Sequence, residues 1–394
     1  MFSKNSAMSA PRRGATIAAP LAAILAALFA AVLVGCGSAM PGATSALPEQ
    51  RYYGEGADLS SATLDTTRTV KRLAFGSCFK VQRGEAGIWD AIAATDSGLF
   101  IYAGDTLYPD SEEESMVIGS LQQAYTELAA VESLTRLRMQ TPVLPVWDDH
   151  DYGKNDGGAD FVHRKASEDL FEQVWGLAQD DPRRRREGIY HSVLLGEPGM
   201  QLQVILLDTR YFRSPLQETD EKGARGKERY VPDPDPRKTL LGEAQWAWLE
   251  GELAKPADLR LLVSSIQVLA DGHGWEGWRQ LPAERERLFE LLREDTEGAL
   301  LLLSGDRHIA GFYENDIGLS RPLLEFTSSA LNNTIALPYR NIALAEAGPF
   351  QLGGVYGDAN FGTIDIDWEA GRVVLGLRDK AGQIVKYLER QFRD

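Results

Sequence analysis

The sequence predicts an α/β protein with functional residues at its strand ends, closed by a short antiparallel meander. Three observations predict it. From residue 70 onward, apolar runs of strand length alternate with segments of helical periodicity, the pattern of helix-covered sheets. Several apolar runs stop in a polar tip: Phe75-Gly-Ser-Cys78, Gly104-Asp-Thr-Leu-Tyr108, Trp147-Asp-Asp-His-Asp151, Ser264-Ser-Ile-Gln267 and Ser304-Gly-Asp-Arg-His308. The last stretch changes to short runs separated by the turns Glu369-Ala-Gly371 and Asp379-Lys-Ala-Gly382.

Residues 1–35 read as an export signal. Lys4, Arg12 and Arg13 precede an apolar Ala/Leu/Val stretch ending in Leu33-Val-Gly-Cys36, which resembles a lipobox. Cys36 is then the lipidated mature N-terminus, and Gly37 after it resembles the outer-membrane sorting pattern of a Gram-negative cell. A transmembrane helix is the plain alternative, and the paired arginines resemble a twin-arginine signal in a poorly matching context. The expectation is a lipid-anchored, extracytoplasmic protein of the bacterial cell envelope, on the outer membrane facing the periplasm if the cell is Gram-negative. Residues 36–69, rich in Gly, Ser, Ala and Thr, read as a flexible tether. Residues 70–394 are expected as one domain.

Within it, strands are expected at 70–76, 99–103, 141–146, 191–195, 202–207, 259–264, 299–303 and 323–327. Helices are expected at 87–95, 119–139, 160–175, 241–253 and 283–293, and the meander at 362–368, 372–377 and 384–388. The charged, Gly/Pro-containing tract 215–237 reads as a lid or rim. The arginine run 183–186 reads as a solvated loop or as a patch for an anionic substrate or lipid headgroup.

An apolar fraction of 44% is enough for a sizeable core, and a net charge of −16 argues against nucleic-acid binding as the main role. There are two cysteines; with Cys36 lipidated, Cys78 has no partner in the chain and should be buried or metal-bound.

The polar tips divide by donor atom. Cys78, Asp105, Tyr108 and His308 offer a thiolate, a carboxylate, a phenol and an imidazole. A phenol that must lose a proton of ordinary pKa ~10 needs a strongly Lewis-acidic ion such as Fe3+. Asp149, Gln267 and Asp306 offer oxygen only; with Asp105 shared, they suit a hard cation such as Ca2+, Mg2+ or Mn2+ better than Zn2+. Two ions ~3.5–4 Å apart can clamp a phosphate and activate water. His150 is the candidate proton donor to phosphate or leaving group, with Asp151 orienting its ring. Arg307, Arg210 and His273 are candidate phosphate contacts. Each residue also has a plain reading: a buried structural thiol at 78, capping acids at 148, 149 and 151, a rim aromatic at 108, a backbone-satisfying amide at 267. No Gly-x-Ser-x-Gly elbow, Walker-type loop or paired CxxC is present.

In these motifs the chain resembles the calcineurin-like metallophosphoesterases, and within them the alkaline phosphatase D family. Cys78 in Phe-Gly-Ser-Cys is the first-ligand substitution of that branch, Gly104–Tyr108 keeps its block, and Trp147–Asp151 stands where Gly-Asn-His-Glu/Asp would. Leu207-Asp-Thr-Arg210, Trp275-Glu-Gly-Trp278 with Arg285-Glu-Arg-Leu288, Thr327-Ser-Ser-Ala-Leu-Asn332 and Asn360-Phe-Gly362 extend the likeness over roughly residues 70–390. The resemblance implies a four-layer αββα sandwich, two central mixed sheets flanked by helices. It implies Fe3+ at Cys78, Asp105, Tyr108 and His308, and Ca2+ at the oxygen-rich position, where Mn2+, Mg2+ or Zn2+ are alternatives. It implies a phosphate ester substrate, monoester or diester. The alternatives are a phospholipase D-like or wall-polymer diesterase, or a silent phosphate-binding lipoprotein. The chain departs from the pattern at Asp149, where Asn often sits, at Gln267, where many relatives have His, and at Asp306, which replaces a His. The tract 37–69 is also too short for the extra β-rich domain of larger members.

Overall fold

The computed structural model describes residues 56–295, 298–336, 339–346 and 348–393. The expected export signal, Cys36 and the first part of the expected tether lie outside the described residues. The strands are Arg72–Gly76 (β1), Phe100–Ala103 (β2), Val143–Val146 (β3), His191–Leu195 (β4), Leu202–Leu206 (β5), Leu259–Ser264 (β6), Ala299–Ser304 (β7), Ala310–Asn315 (β8), Leu323–Ser328 (β9), Gln351–Tyr356 (β10), Asn360–Asp367 (β11), Arg372–Asp379 (β12) and Ile384–Gln391 (β13). They form a six-stranded sheet, β13-β12-β11-β1-β2-β3, and a seven-stranded sheet, β10-β8-β9-β7-β6-β5-β4. The helices are Ile88–Ala93 (α1), Val117–Ala129 (α2), Glu132–Gln140 (α3), Asp149–Tyr152 (α4), Arg164–Val174 (α5), Gly242–Leu253 (α6), Pro282–Asp295 (α7) and Arg340–Leu344 (α8).

Both sheets are mixed. β1, β2 and β3 run parallel, as do β5, β6, β7 and β9, while β11, β4 and β8 join antiparallel. Side-chain alternation turns each strand of the second sheet two ways. Val204, Leu206, Leu261, Val263, Leu301 and Leu303 share a core with the first sheet, where Phe75 meets Phe326 edge-on at 4.9 Å. Ile205, Leu262, Leu300 and Leu302 face the other way, onto Trp246, Leu249 and Leu253 of α6 and Leu288 and Leu292 of α7. On the first sheet, Trp89 of α1 packs against Phe100 and Tyr102, and Phe171 of α5 against Trp147. The result is the expected helix–sheet–sheet–helix order. Phe75 can take its place because Gly362 stands opposite it in register; a Cβ there would lie 2.1 Å from the ring.

Three expectations need correction. The single helix expected at 119–139 is two, α2 and α3, broken by Val131 in an extended conformation (φ −72°, ψ 102°). The bend lets Leu121, Tyr125 and Leu128 and then Leu134 and Leu137 reach the same core. Strands β8 and β10 lacked a sequence signal, since Ala-Gly-Phe-Tyr-Glu-Asn and Gln-Leu-Gly-Gly-Val-Tyr carry too few apolar residues to read as runs.

The described end of the expected tether is packed. Leu59 is fully buried, its N–H donates to Val174 O at 2.8 Å, and Ala62 N–H donates to Arg138 O at 2.7 Å. Leu59→Ala should therefore lower stability by about 2–3 kcal/mol in urea unfolding, where a tether residue would change it by less than about 0.5 kcal/mol.

Candidate metal centre

The carboxyl ends of parallel strands from both sheets meet at one edge, the place where open α/β sheets bind ligands. The residues following β1 carry Cys78, those following β2 carry Asp105 and Tyr108, and those following β3 carry Asp148 and α4. From the second sheet, Gln267 follows β6, and Asp306 to His308 follow β7. The sheets are stitched there by backbone: Leu331 N–H, beyond β9, donates to Ser77 O at 2.9 Å, and Asn333 N–H donates to Cys78 O at 3.1 Å.

The tips turn sharply. Six described non-glycine residues have positive φ, and four are expected ligands: Cys78 (63°), Asp105 (51°), Asp306 (65°) and His308 (56°). A fifth, Asp156 (49°), stands beside them. Such backbone costs roughly 1–3 kcal/mol per residue and persists where surrounding contacts impose it, most often at functional sites.

Cys78, Asp105 and His308 bring ligand atoms within 4.8 Å of one another. Tyr108 completes this group: its hydroxyl donates to Asp105 Oδ2 at 2.7 Å and stands 3.0 Å from His308 Nε2. The Cys78 thiol lies 3.4 Å from the same Asp105 oxygen. Protons thus join atoms that a cation would take. Burial, then the charge of Asp105, push the Cys78 thiol and the Tyr108 phenol well above their ordinary pKa values. Burial foremost, with the charges of His150 and Arg307, lowers His308 to about 3, so its imidazole is neutral, the form that ligates.

The oxygen side is more crowded. Asp105, Asp149 and His150 form one close group, and Asp148, Asp149 and Asp306 another, each within 4.8 Å. Burial first, then neighbouring carboxylates, push Asp105 and Asp306 far up. Asp148 rises to about 7 through burial, against the pull of Arg210. For Asp149 burial also works upward, but His150 and Arg210 outweigh it and hold it low. Asp148 Oδ2 and Asp149 Oδ1 are buried without a hydrogen-bond partner. Orphaned carboxylate oxygens among repelling acids are what a cation site looks like without its charge, and the donor set fits a pair of ions that share Asp105.

Three expected residues stand elsewhere. Asp151 does not orient His150: its Oδ1 accepts from Asp148 N–H at 2.5 Å, and its Oδ2 from Thr106 N–H at 3.1 Å and Thr106 Oγ1 at 3.0 Å. Adjacent residues on a helical turn point in different directions, so Asp151 closes the turn beneath while His150 faces the site. Glu112 holds the ring instead, 3.3 Å from His150 Nδ1. Burial alone would lower the His150 pKa; Asp149, Asp105 and Glu112 raise it to about 10. Gln267 has both amide ends engaged, donating to Thr327 Oγ1 at 2.9 Å and accepting from His273 Nε2 at 3.0 Å. His273 Nδ1 accepts from Trp275 N–H, which leaves Nε2 as the donor. Arg307 is paired with Glu346 at 2.6 Å and lies over the Trp275 ring, 5.8 Å from its centroid.

Arg210 is fully buried beneath the acids, bonded to Asp148 and 2.6 Å from Glu276. The expected rim loop supplies Arg229 and Tyr230, which hold Asp156. The arginine run is partly paired: Arg183 pairs with Asp181 at 2.8 Å and Arg184 with Glu172 at 3.3 Å, Arg186 lies over Tyr190, and Arg185 is exposed. Asp148, Glu112 and Glu276 were not among the expected site residues. Asp148 had a signal in its place in the Asp-Asp-His-Asp run, and Glu276 in the Trp275-Glu-Gly-Trp278 motif; Glu112 had none.

These contacts separate structure from site. Asp151→Ala leaves three buried donors without a partner and should lower stability by about 2 kcal/mol or more. Glu112→Ala, at a side chain one third exposed, should stay within about 0.5 kcal/mol. Thermal melting of both variants checks the assignment.

A search of curated protein sequences finds no match. Among solved structures, the chain is similar to PhoD, with a TM-score of 0.66 and 17% identity over 84% of this chain and 70% of that one. It is also similar to a dimetal phosphatase from Danio rerio, with a TM-score of 0.49 and 15% identity over 83% of this chain and 100% of that one. A purple acid phosphatase from yellow lupin (Lupinus luteus) matches with a TM-score of 0.49 and 12% identity, over 83% of this chain and 54% of that one. The model of the PhoD-like phosphatase family matches residues 73–352, most of the chain and every strand-end tip described above. The chain belongs to the PhoD-like phosphatase family and is a metal-dependent phosphoric ester hydrolase.

Proposed function

We propose that this protein is a lipid-anchored envelope phosphatase that hydrolyses phosphate mono- or diesters with Fe3+ held by Cys78, Asp105, Tyr108 and His308 and Ca2+ held on the oxygen side. The observation that carries this reading is the position of Asp105. Its carboxylate belongs both to the group with Cys78 and His308 and to the group with Asp149 and His150. One side offers sulfur, nitrogen and phenol, the other mainly carboxylate oxygen, so the two places favour ions of different hardness. The Leu33-to-Cys36 lipobox supports the anchor, and its Gly37 supports the outer membrane.

When bound, the two ions supply positive charge against the phosphoryl oxygens and a water that loses its proton at working pH. The chain's own groups do the rest. Asp105 fixes the spacing of the two halves. Glu112 at Nδ1 favours the protonated His150 ring and leaves Nε2 to donate to a phosphoryl or leaving-group oxygen. Buried Arg210 keeps Asp148 in place under Asp149 without reaching the substrate. The ring of Tyr108 packs 4.2 Å from that of His150, so the phenol side of the site also limits where the imidazole can point.

Iron-loaded protein should show a visible tyrosinate-to-iron charge-transfer band that Tyr108→Phe abolishes; an unchanged band in that variant removes Tyr108 from the iron. Elemental analysis of native protein should find both iron and calcium, and Asp105→Asn should lower the content of both. Rates with 4-nitrophenyl phosphate and bis(4-nitrophenyl) phosphate decide between monoester and diester preference.

A further inference from the structure

The turn that follows Cys78 displays two cations, Lys80 and Arg83. Neither pairs with a carboxylate among the described residues, on a chain of net charge −16 whose arginines are mostly paired. Lys80 Nζ stands over the ring of Tyr108, 5.6 Å from its centroid, at the mouth of the metal centre. Arg83 is exposed and lines an adjoining cavity of about 620 Å³ together with Asn332 and Thr334. Asn332, which lines it, and Asn333 both donate their N–H groups to Cys78 O, so one wall of the cavity is tied to the backbone of that expected ligand.

The turn is held from outside. Asn332 accepts from Lys80 N–H at 2.7 Å through its Oδ1 and donates to Lys80 O at 2.9 Å through its Nδ2. Arg83 N–H closes the turn onto the same Lys80 O at 3.0 Å. A side-chain amide that grips both backbone groups of one residue fixes where the next side chains can reach.

Two of the cavity's three carboxylates are paired with cations. Glu85 pairs with Lys380 at 3.2 Å and Asp358 with Arg340 at 2.5 Å. Asp379 Oδ1 accepts from the N–H groups of Ala381 and Gln383, both at 2.9 Å. Asp379 keeps its charge, so Arg83 in the cavity and Lys80 at the Tyr108 ring stand against one carboxylate, an excess of one positive charge. Two cations without an ion-pair partner on one turn beside a phosphate site fit a second anion next to the scissile group.

We infer that Lys80 and Arg83 form a binding arm for a second phosphate, so that the favoured substrates are phosphate esters carrying another phosphate next to the one that is cleaved. This rests on the phosphatase reading above. The test measures adenosine monophosphate and adenosine diphosphate as competitive inhibitors of aryl phosphate hydrolysis by the metal-loaded, full-length protein. These probes differ by one phosphate. Wild type should bind the diphosphate more tightly than the monophosphate. In Arg83→Gln, and more so in Lys80→Gln/Arg83→Gln, the inhibition constant for the diphosphate should rise about tenfold, the worth of one charge-assisted contact, while that for the monophosphate moves less than about twofold. Arg83→Lys should restore part of the difference. Equal changes for both nucleotides mean a general loss of the site and overturn the arm, as does no change for either. Failure of the wild type to hydrolyse any aryl phosphate overturns the phosphatase reading itself and the arm with it.

Discussion

Carboxylate crowding at the strand ends is the constraint on which this molecule is arranged. Asp148, Asp149 and Asp306 lie within 4.8 Å of one another, and Asp105 and Asp149 are as close in a second group. Two like charges ~4 Å apart cost about 4 kcal/mol in a protein-like dielectric. Three or four such pairs rival the ~5–15 kcal/mol that holds a whole domain together. Arg210 relieves Asp148, but its charge is also shared with Glu276. The remaining acids must take up protons or cations, and their ligand atoms are close enough together to hold cations.

The surroundings follow from that demand. A buried arginine between two acids is weak evidence for stability, yet removing any member leaves an uncompensated charge, so the network fixes the acids more firmly than it stabilises the fold. Asp208 serves the same end by other means. Its Oδ1 accepts from Trp147 Nε1 and from Arg210 N–H, both at 2.9 Å, tying the tip of β3 to the turn that delivers Arg210. Left-handed backbone at Cys78, Asp105, Asp306 and His308 is the cost of turning side chains from separate strands toward one point. Two rigid sheets with a shared apolar core supply the tension to hold it.

How much of this the chain discloses in one dimension depends on the length of the interaction. Parallel strands buried on both faces are near-continuous apolar runs, so β1, β6 and β7 were legible almost to the residue. The edge strand β10 and its neighbour β8 were not, because their short segments Gln-Leu-Gly-Gly-Val-Tyr and Ala-Gly-Phe-Tyr-Glu-Asn hold too few apolar residues to form a run. The ligand tips were legible because chemistry demands those residue types: Cys78, Asp105, Tyr108 and His308 meet as their donor atoms suggested. The supporting contacts were not. Asp151 and Glu112 exchange roles because a helical turn, rather than proximity in sequence, decides which acid faces His150. Gln267 and Arg307 were read by their chemistry alone; Thr327 and Glu346 reach them from distant segments, and His273 from the loop that follows Gln267.

The same distinction governs the charges. A net charge of −16 repels a phosphate ester at long range, but at physiological salt that field is screened within ~8 Å. What an incoming anion meets is therefore set by the few side chains at the mouth. In the arginine run 183–186, conspicuous in the sequence, three of the four side chains are already engaged, by Asp181, Glu172 and Tyr190. Lys80 and Arg83 are inconspicuous in the sequence and stand at the edge of the metal centre without an acid partner. A cation matters to an anionic substrate by being placed and left unpaired, and only the fold shows which ones are.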